Sequence, residues 1–106
     1  VIGNPMDSTT LMGPMHNENG VNDYLEGLEK IKAQGGRILI GGKKMPGAGN
    51  YVEPTIVEIP VDAPIVNEEI FAPIVYVFKF STLDEAIKYN NQVPQGLSSA
   101  LFTKNL

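Results

Sequence analysis

The sequence predicts an α/β fold with a mostly parallel sheet and flanking helices. Apolar residues recur at helical spacing on one face between residues 21 and 31. Short apolar runs at residues 37–40 and 74–80 are typical of strands, since they are rich in β-formers and bounded by turn residues. A second helical pattern after residue 82 and an apolar stretch at 97–103 complete a β-α-β order, which favours a parallel pair with a right-handed crossover.

The first predicted helix follows an irregular connection at residues 3–15. Asn17 suits the N-cap position, and Glu18 in the first turn favours the positive end of the helix dipole. Gly35 and Gly36 are expected to end the helix, because glycine adopts the left-handed conformation at low cost. The face that we expect to be buried consists of Val21, Tyr24, Leu25, Leu28 and Ile31.

The middle of the chain predicts two strands separated by a glycine-rich loop. Arg37–Ile40 is a short apolar run that Gly41-Gly42 closes. Residues 51–59 carry β-formers, but Pro54 lies among them and cannot donate to a strand ladder. This segment is therefore either an edge strand or two short pieces.

The C-terminal third predicts a strand, a helix and a last strand. Residues 74–80 are nearly all apolar, which favours a strand covered on both faces. Thr82 and Glu85 have the spacing of a capping box, which opens a short helix. A turn at residues 94–96 then leads into a strand at 97–103. The helix is expected to bury Leu83, Ala86 and Ile87.

Composition argues against several classes of function. The chain has 106 residues, which suits one domain, and its net charge of −4 comes from twelve acidic and eight basic residues without a basic cluster. It has no cysteine and one histidine, so no disulfide, thiolate or multi-histidine metal site forms within one chain. No apolar run reaches the roughly 20 residues of a membrane helix, and no signal-peptide pattern is present. We expect neither a metal nor a nucleic-acid or membrane partner.

Two polar features have a structural and a functional interpretation. His16 is either a polar residue near a helix start or a general base, but no nearby motif supplies the nucleophile that a base would activate. The glycines between residues 41 and 49 lack the spacing of both the P-loop and the dinucleotide-binding motif. Turn chemistry is the favoured interpretation for these glycines.

The acidic pair Glu68-Glu69 precedes the apolar run at residues 74–80. Neighbours in an extended chain point to opposite sides, so these carboxylates are not expected to act as a pair, and a solvated turn is the simpler interpretation. A ligand role stays open, because ligands of open α/β sheets bind beside strand ends. A carboxylate can accept both hydroxyls of a ribose, and Phe71 would project to the same side as Glu69.

At this point the sequence resembles a known family. Residues 69–73, Glu-Ile-Phe-Ala-Pro, resemble the E-[ILV]-F-[GA]-P motif of the aldehyde dehydrogenase superfamily. Segments 49–57, 71–80 and 95–104 are most similar to family 7, the antiquitin-like enzymes associated with α-aminoadipic semialdehyde, and Ala72 agrees with that family. Further motifs in the superfamily's order are Gly3-Asn4-Pro5, Gly13-Pro14, Gly41-Gly42, Pro54-Thr55, Gly96-Leu97 and Phe102-Thr103-Lys104.

The resemblance implies that residues 1–106 are part of a catalytic domain, C-terminal to a nucleophilic cysteine. In this superfamily the cysteine attacks an aldehyde, hydride passes to NAD or NADP, and a glutamate-activated water releases the acid. The chain has neither that cysteine nor the motif of the general base, so we assign no catalytic residue and expect it to be inactive and to bind no cofactor alone. Glu69 matches the glutamate that binds the nicotinamide ribose hydroxyls, and Phe71 matches the phenylalanine beside the nicotinamide and ribose.

Partners and location follow from the same resemblance. The resemblance implies that the partner is the remainder of the dehydrogenase subunit and that the parent enzyme is a homo-oligomer. It also implies a location in the cytoplasm, or in the mitochondrial matrix for a eukaryotic source. The alternative is a stand-alone, non-enzymatic α/β module that self-associates or binds a protein. The start at Val1 instead of an initiator Met favours a partial enzyme, and we expect such a segment to expose apolar surface. The aldehyde and the choice between NAD and NADP stay open.

Overall fold

Helices and short strands alternate along the chain in this structure, a computed structural model that describes residues 1–105. The α/β class predicted from the sequence is confirmed. The elements in chain order are α1 (Glu18–Ala33), β1 (Arg37–Ile40), β2 (Thr55–Glu58), a 3-10 helix (Pro64–Asn67), β3 (Ile74–Val77) and α2 (Leu83–Asn90).

Local signals set both ends of α1, as predicted. The Asn17 side chain accepts a hydrogen bond from the backbone N–H of Gly20 at 2.9 Å, which caps the N-terminus. At the C-terminus, Gly35 N donates to Lys32 O at 3.1 Å and Gly36 N donates to Ile31 O at 2.8 Å. Gly35 has a φ of +87°, and this pair of bonds is the Schellman arrangement. The predicted face is buried at Val21, Tyr24, Leu28 and Ile31, but Leu25 lies at its edge and is exposed.

The sheet is mixed and has the order β1-β2-β3. β1 and β2 are antiparallel, whereas β2 and β3 are parallel and pair in register from Thr55 with Ile74 onward. The segment 51–59 forms two short pieces, which is one of the two predictions made from the sequence. Val52 forms an isolated bridge before Pro54, and β2 begins after the proline. Pro54 lies outside the ladder, so β2 can occupy the centre of the sheet.

One face of the sheet packs with α1 into the core. Thr55 and Val57 of β2 are fully buried, and Tyr76 of β3 packs beside them. The other face is open within residues 1–105, because Val75 and Val77 are 59% and 43% exposed. The expectation that this strand is covered on both faces is therefore wrong for the described chain, since none of its elements lies over the second face.

A buried hydroxyl pair joins α1 to the sheet. The Tyr24 hydroxyl lies 2.7 Å from Oγ1 of Thr55, and both oxygens lie 2.9 Å from the carbonyl oxygen of Glu53. The backbone N–H of Gly42 also donates to Thr55 Oγ1, at 2.9 Å. Each hydroxyl has one proton to donate. One of the two hydroxyls donates to the other, and the second donates to the Glu53 carbonyl oxygen, so each of these buried oxygens has a partner. This network fixes the helix, β2 and the glycine turn relative to one another.

The last third of the chain departs from the predictions. Thr82 caps α2, as predicted, by accepting from Glu85 N at 3.2 Å. The helix buries none of its residues, however, and Leu83 and Ile87 are exposed. Residues 97–103 form no strand, and Phe102 is 94% exposed. Both expectations are wrong because each needs a partner surface that the described residues do not provide; the parallel pair is instead β2 with β3.

A double-mutant cycle tests the hydroxyl pair. Tyr24→Phe and Thr55→Val each remove one hydroxyl, and each should lower the free energy of unfolding by about 1–3 kcal/mol because buried partners are left unsatisfied. The double variant should lose less than the sum, with a coupling of roughly 0.5–3 kcal/mol in urea unfolding. Gln34→Ala, which removes an acceptor from Ile65 N instead, is the control expected to add to Thr55→Val. Additive losses for Tyr24 and Thr55 would contradict the network.

Candidate functional site

The two adjacent glutamates before β3, Glu68 and Glu69, have different surroundings. Glu68 N donates to Ile65 O at 3.1 Å, which joins the segment to the end of the 3-10 helix. The Glu68 carboxylate lies 3.5 Å from Lys30 Nζ on α1, and both side chains are about half exposed. Burial raises the pKa of Tyr76, and the nearby Glu68 carboxylate raises it further. Glu68 thus faces the helix as a surface ion-pair partner.

Ile70 anchors this segment to α1 at Gly27. A Cβ atom added to Gly27 would lie 2.6 Å from Cδ1 of Ile70, so the absent side chain is what allows the close approach. Gly27 is buried and Ile70 is half-buried against the core. On the other side, Pro73 O accepts from Thr55 N at 2.8 Å, which ties the segment to β2. The backbone around residues 69–72 is therefore held from the helix and from the sheet.

Glu69 and Phe71 flank the anchored Ile70 and line one cleft. Side chains on either side of an inward residue turn outward in extended chain, as the sequence predicts for this pair. Both are exposed, and Phe71 is 87% exposed despite its apolar ring. The open cleft has a volume of about 1000 Å3 and is walled by residues 69–73 on one side and residues 11–16 on the other. The structure thus brings together both residues that the motif singled out.

The opposite wall of the cleft is the loop that enters α1. Met15 N donates to Asn50 O at 2.8 Å, and Gly3 N donates to Met12 O at 3.1 Å, so contacts distant in sequence shape this loop. His16 lies on this wall, and its Nε2 atom is 2.9 Å from Nδ2 of Asn17. Sequence alone leaves His16 as either a polar residue near a helix start or a general base, because the long-range contact that places it across from residues 69–73 has no local signal.

The glycine-rich loop has the turn role that the sequence favours. Gly41, Gly42, Gly47 and Gly49 all have positive φ values, between +79° and +99°. At Gly41 an added Cβ would also lie 2.2 Å from the carbonyl oxygen of Pro54, so the position requires glycine. The Gly42 N–H is already bonded to Thr55 and is not free for a phosphate.

The cleft has the chemistry of a binding surface. It offers one carboxylate, one imidazole and one aromatic ring among apolar side chains. A carboxylate accepts hydrogen bonds only, and an exposed aromatic ring suits a flat partner. Across residues 1–105, His, Cys, Asp and Glu side chains do not gather in groups of three or more that could bind a metal ion. No helix in the same range has the length and apolar character needed to cross a membrane.

Comparison with known proteins identifies the family. The sequence pattern of the aldehyde dehydrogenase family matches residues 1–106, and the chain belongs to that family. It is 55% identical over 104 residues to aldehyde dehydrogenase family 7 member B4 of Arabidopsis thaliana. It is 52% identical over 106 residues to α-aminoadipic semialdehyde dehydrogenase of Mus musculus. The predicted resemblance to family 7 is confirmed.

Solved structures agree in fold over nearly the whole chain. An aldehyde dehydrogenase from Bacillus cereus in complex with NAD+ superposes with a TM-score of 0.91 at 32% identity, over 100% of this chain and 22% of that one. Betaine aldehyde dehydrogenase from Staphylococcus aureus, also in complex with NAD+, gives 0.90 at 35% identity, over 98% and 22%. The matches to the Arabidopsis and mouse relatives include 98% and 99% of this chain, but only 20% of the length of each relative. The chain thus spans about a fifth of these proteins.

Gly27→Ala tests the anchor of the candidate site. The added methyl group should push Ile70 aside, while alanine raises helix propensity by about 1 kcal/mol, so stability should change little. We expect the amide signals of residues 68–72 to shift in 1H–15N spectra of the labelled chain. Asn22→Ala, at an exposed position of the same helix, is the matched control and should leave those signals in place. Unchanged signals at residues 68–72 in Gly27→Ala would contradict the anchoring contact.

Proposed function

We propose that this chain forms part of the catalytic domain of an NAD(P)-dependent aldehyde dehydrogenase, C-terminal to the nucleophilic cysteine, and supplies one wall of the nicotinamide-ribose site. The observation that carries the proposal is that Glu69 and Phe71 face one cleft while Ile70 between them is anchored on Gly27. Family membership over residues 1–106 supports the reaction class. The NAD+ complexes of the two similar bacterial structures support the cofactor.

The residues present fit the nicotinamide riboside. The Glu69 carboxylate can accept hydrogen bonds from both ribose hydroxyls, because it has several acceptor positions and no proton to donate. The exposed Phe71 ring offers an apolar face beside it, where a flat heterocycle loses little by leaving water. When bound, NAD(P)+ accepts the hydride that leaves the substrate carbon. Glu69 and Phe71 contribute by positioning, since hydride transfer requires the reacting carbons to be held close and aligned.

A semialdehyde is the proposed substrate class. The mouse protein at 52% identity is named for α-aminoadipic semialdehyde, and the plant protein at 55% identity is a family 7 member. We assign no side chain of the cleft to selection of the aldehyde. The proposal for the substrate therefore rests on family 7 similarity.

The remainder of the dehydrogenase subunit is the proposed partner. Val75 and Val77 on the open sheet face, together with Leu97, Leu101 and Phe102, leave apolar side chains in water within residues 1–105. Exposed apolar surface of this kind marks an interface. We propose that the rest of the subunit covers it, in a homo-oligomeric, cytoplasmic enzyme. A stand-alone module that associates with itself would cover the same residues.

The 106-residue chain alone should not turn over aldehyde. It contains no cysteine to attack the carbonyl, and the cleft offers one wall of a cofactor site. The measurement is NADH absorbance during incubation of the purified chain with NAD+ and α-aminoadipic semialdehyde, with calorimetry of NAD+ binding alongside. We expect no turnover and no micromolar affinity. Turnover above the protein-free rate would overturn the assignment.

Glu69→Gln tests the proposed ribose contact in the complete dehydrogenase that carries this segment. Glutamine keeps the shape but loses the charge, which should slow hydride transfer roughly tenfold to a hundredfold, as expected for a lost hydrogen bond to a charged group. The rate is read from single-turnover NADH formation, and the melting temperature should stay near the wild-type value. Glu68→Gln is the matched control, since its carboxylate faces Lys30. Equal rates in both variants and wild type would sink the assignment of Glu69.

A further inference from the structure

The cleft that Glu69 lines has a second polar side chain on its opposite wall. His16 is the residue before the cap of α1, and it is exposed to the cleft. Its Nε2 atom is occupied by Asn17 Nδ2 at 2.9 Å. Within residues 1–105, the Nδ1 atom of His16 has no hydrogen-bond partner. The ring therefore has one nitrogen committed to the protein and one available to a ligand.

The helix cap determines which nitrogen of His16 carries the proton. Oδ1 of Asn17 accepts from Gly20 N at 2.9 Å, so the atom that faces His16 is the amide nitrogen, Nδ2. An amide nitrogen only donates, and Nε2 of the imidazole must then accept. In the neutral ring the proton consequently resides on Nδ1. The sequence His-Asn at residues 16–17 thus leaves Nδ1–H as a hydrogen-bond donor on a side chain that lines the cleft.

We propose that His16 Nδ1–H donates a hydrogen bond to an oxygen atom in the ribose-phosphate part of the nicotinamide nucleotide. The inference rests on the proposed function, since it assumes that the cleft holds this ligand. The two walls are complementary in kind: Glu69 only accepts hydrogen bonds, and His16 offers a donor. A ribose hydroxyl can accept a hydrogen bond as well as donate one, and a phosphate oxygen only accepts. The Glu69 carboxylate cannot donate to these acceptor oxygens, so they need a donor from another residue. His16 would be a positioning residue for the cofactor.

Two conservative variants separate a ligand contact from support of the helix cap. The side-chain nitrogen of asparagine can take the place of Nδ1, so His16→Asn keeps a donor for the ligand but gives up the contact to Asn17. The longer glutamine places its terminal atoms near Nε2, so His16→Gln keeps an acceptor for Asn17 Nδ2 but gives up the donor. A role limited to the cap would spare the glutamine variant and harm the asparagine variant. The proposed role gives the reverse order.

The experiment measures NAD+ affinity by calorimetry in the complete dehydrogenase subunit that carries this segment, with melting temperatures for each variant. We expect His16→Gln and His16→Leu to weaken binding about threefold to tenfold, as for one lost neutral hydrogen bond, and His16→Asn to stay within about twofold of wild type. If the wild-type enzyme binds NAD+ and both His16→Gln and His16→Leu bind it with the same affinity, the His16 contact alone is overturned. Absence of NAD+ binding by the wild-type enzyme would instead overturn the proposed function.

Competition against NAD+ identifies the acceptor oxygen. Nicotinamide riboside carries the ribose without phosphate, and nicotinamide mononucleotide carries both. A loss of affinity in His16→Gln for both competitors assigns the contact to the ribose, and a loss confined to the mononucleotide assigns it to the phosphate. Each of these results supports the proposal. Unchanged affinity for both competitors, with a loss for NAD+ itself, would contradict it by moving the contact to another part of the dinucleotide.

Discussion

The buried contact between the hydroxyls of Tyr24 and Thr55 is the interaction on which the described fold depends. It places the middle of α1 over β2, and the same Thr55 oxygen accepts from Gly42, which fixes the turn between β1 and the following loop. Because these atoms are buried, each must be satisfied, and the observed placement of helix, strand and turn satisfies them all. The apolar side chains around Tyr24 supply the driving force, and the hydroxyl pair selects the geometry.

The candidate site follows from that placement. Once α1 is positioned on the sheet, Gly27 offers a gap in the helix surface that Ile70 occupies, and Thr55 N holds the carbonyl of Pro73. The chain between these attachments directs Glu69 and Phe71 outward, and the pairing of Met15 with Asn50 brings the opposite wall across from them. The cleft is thus built from main-chain positions that the core determines, and the Glu69 and Phe71 side chains on it are exposed.

Sequence reasoning succeeded where the cause is local. The caps at Asn17, Gly35 and Thr82 were predictable, because each depends on a side chain or glycine acting within one turn. Alternation in extended chain likewise predicted that Glu69 and Phe71 share a side. The mistakes concern partners distant in sequence: residues 97–103 read as a strand from composition but find no partner in the described chain. The placement of His16 beside the cleft was not predictable for the same reason, since a contact across 35 positions of sequence, from Met15 to Asn50, places its loop.

We propose that the Ile70 anchor presents Glu69 and Phe71 to the nicotinamide riboside. A crystal structure of the complete dehydrogenase subunit with NAD+ would test this contact. We expect carboxylate oxygens of Glu69 at about 2.6–3.0 Å from the ribose hydroxyls, with the Phe71 ring against the same riboside and Ile70 still seated on Gly27. A structure with NAD+ bound, in which Glu69 points to solvent and the nicotinamide ribose lies against other residues, would contradict it.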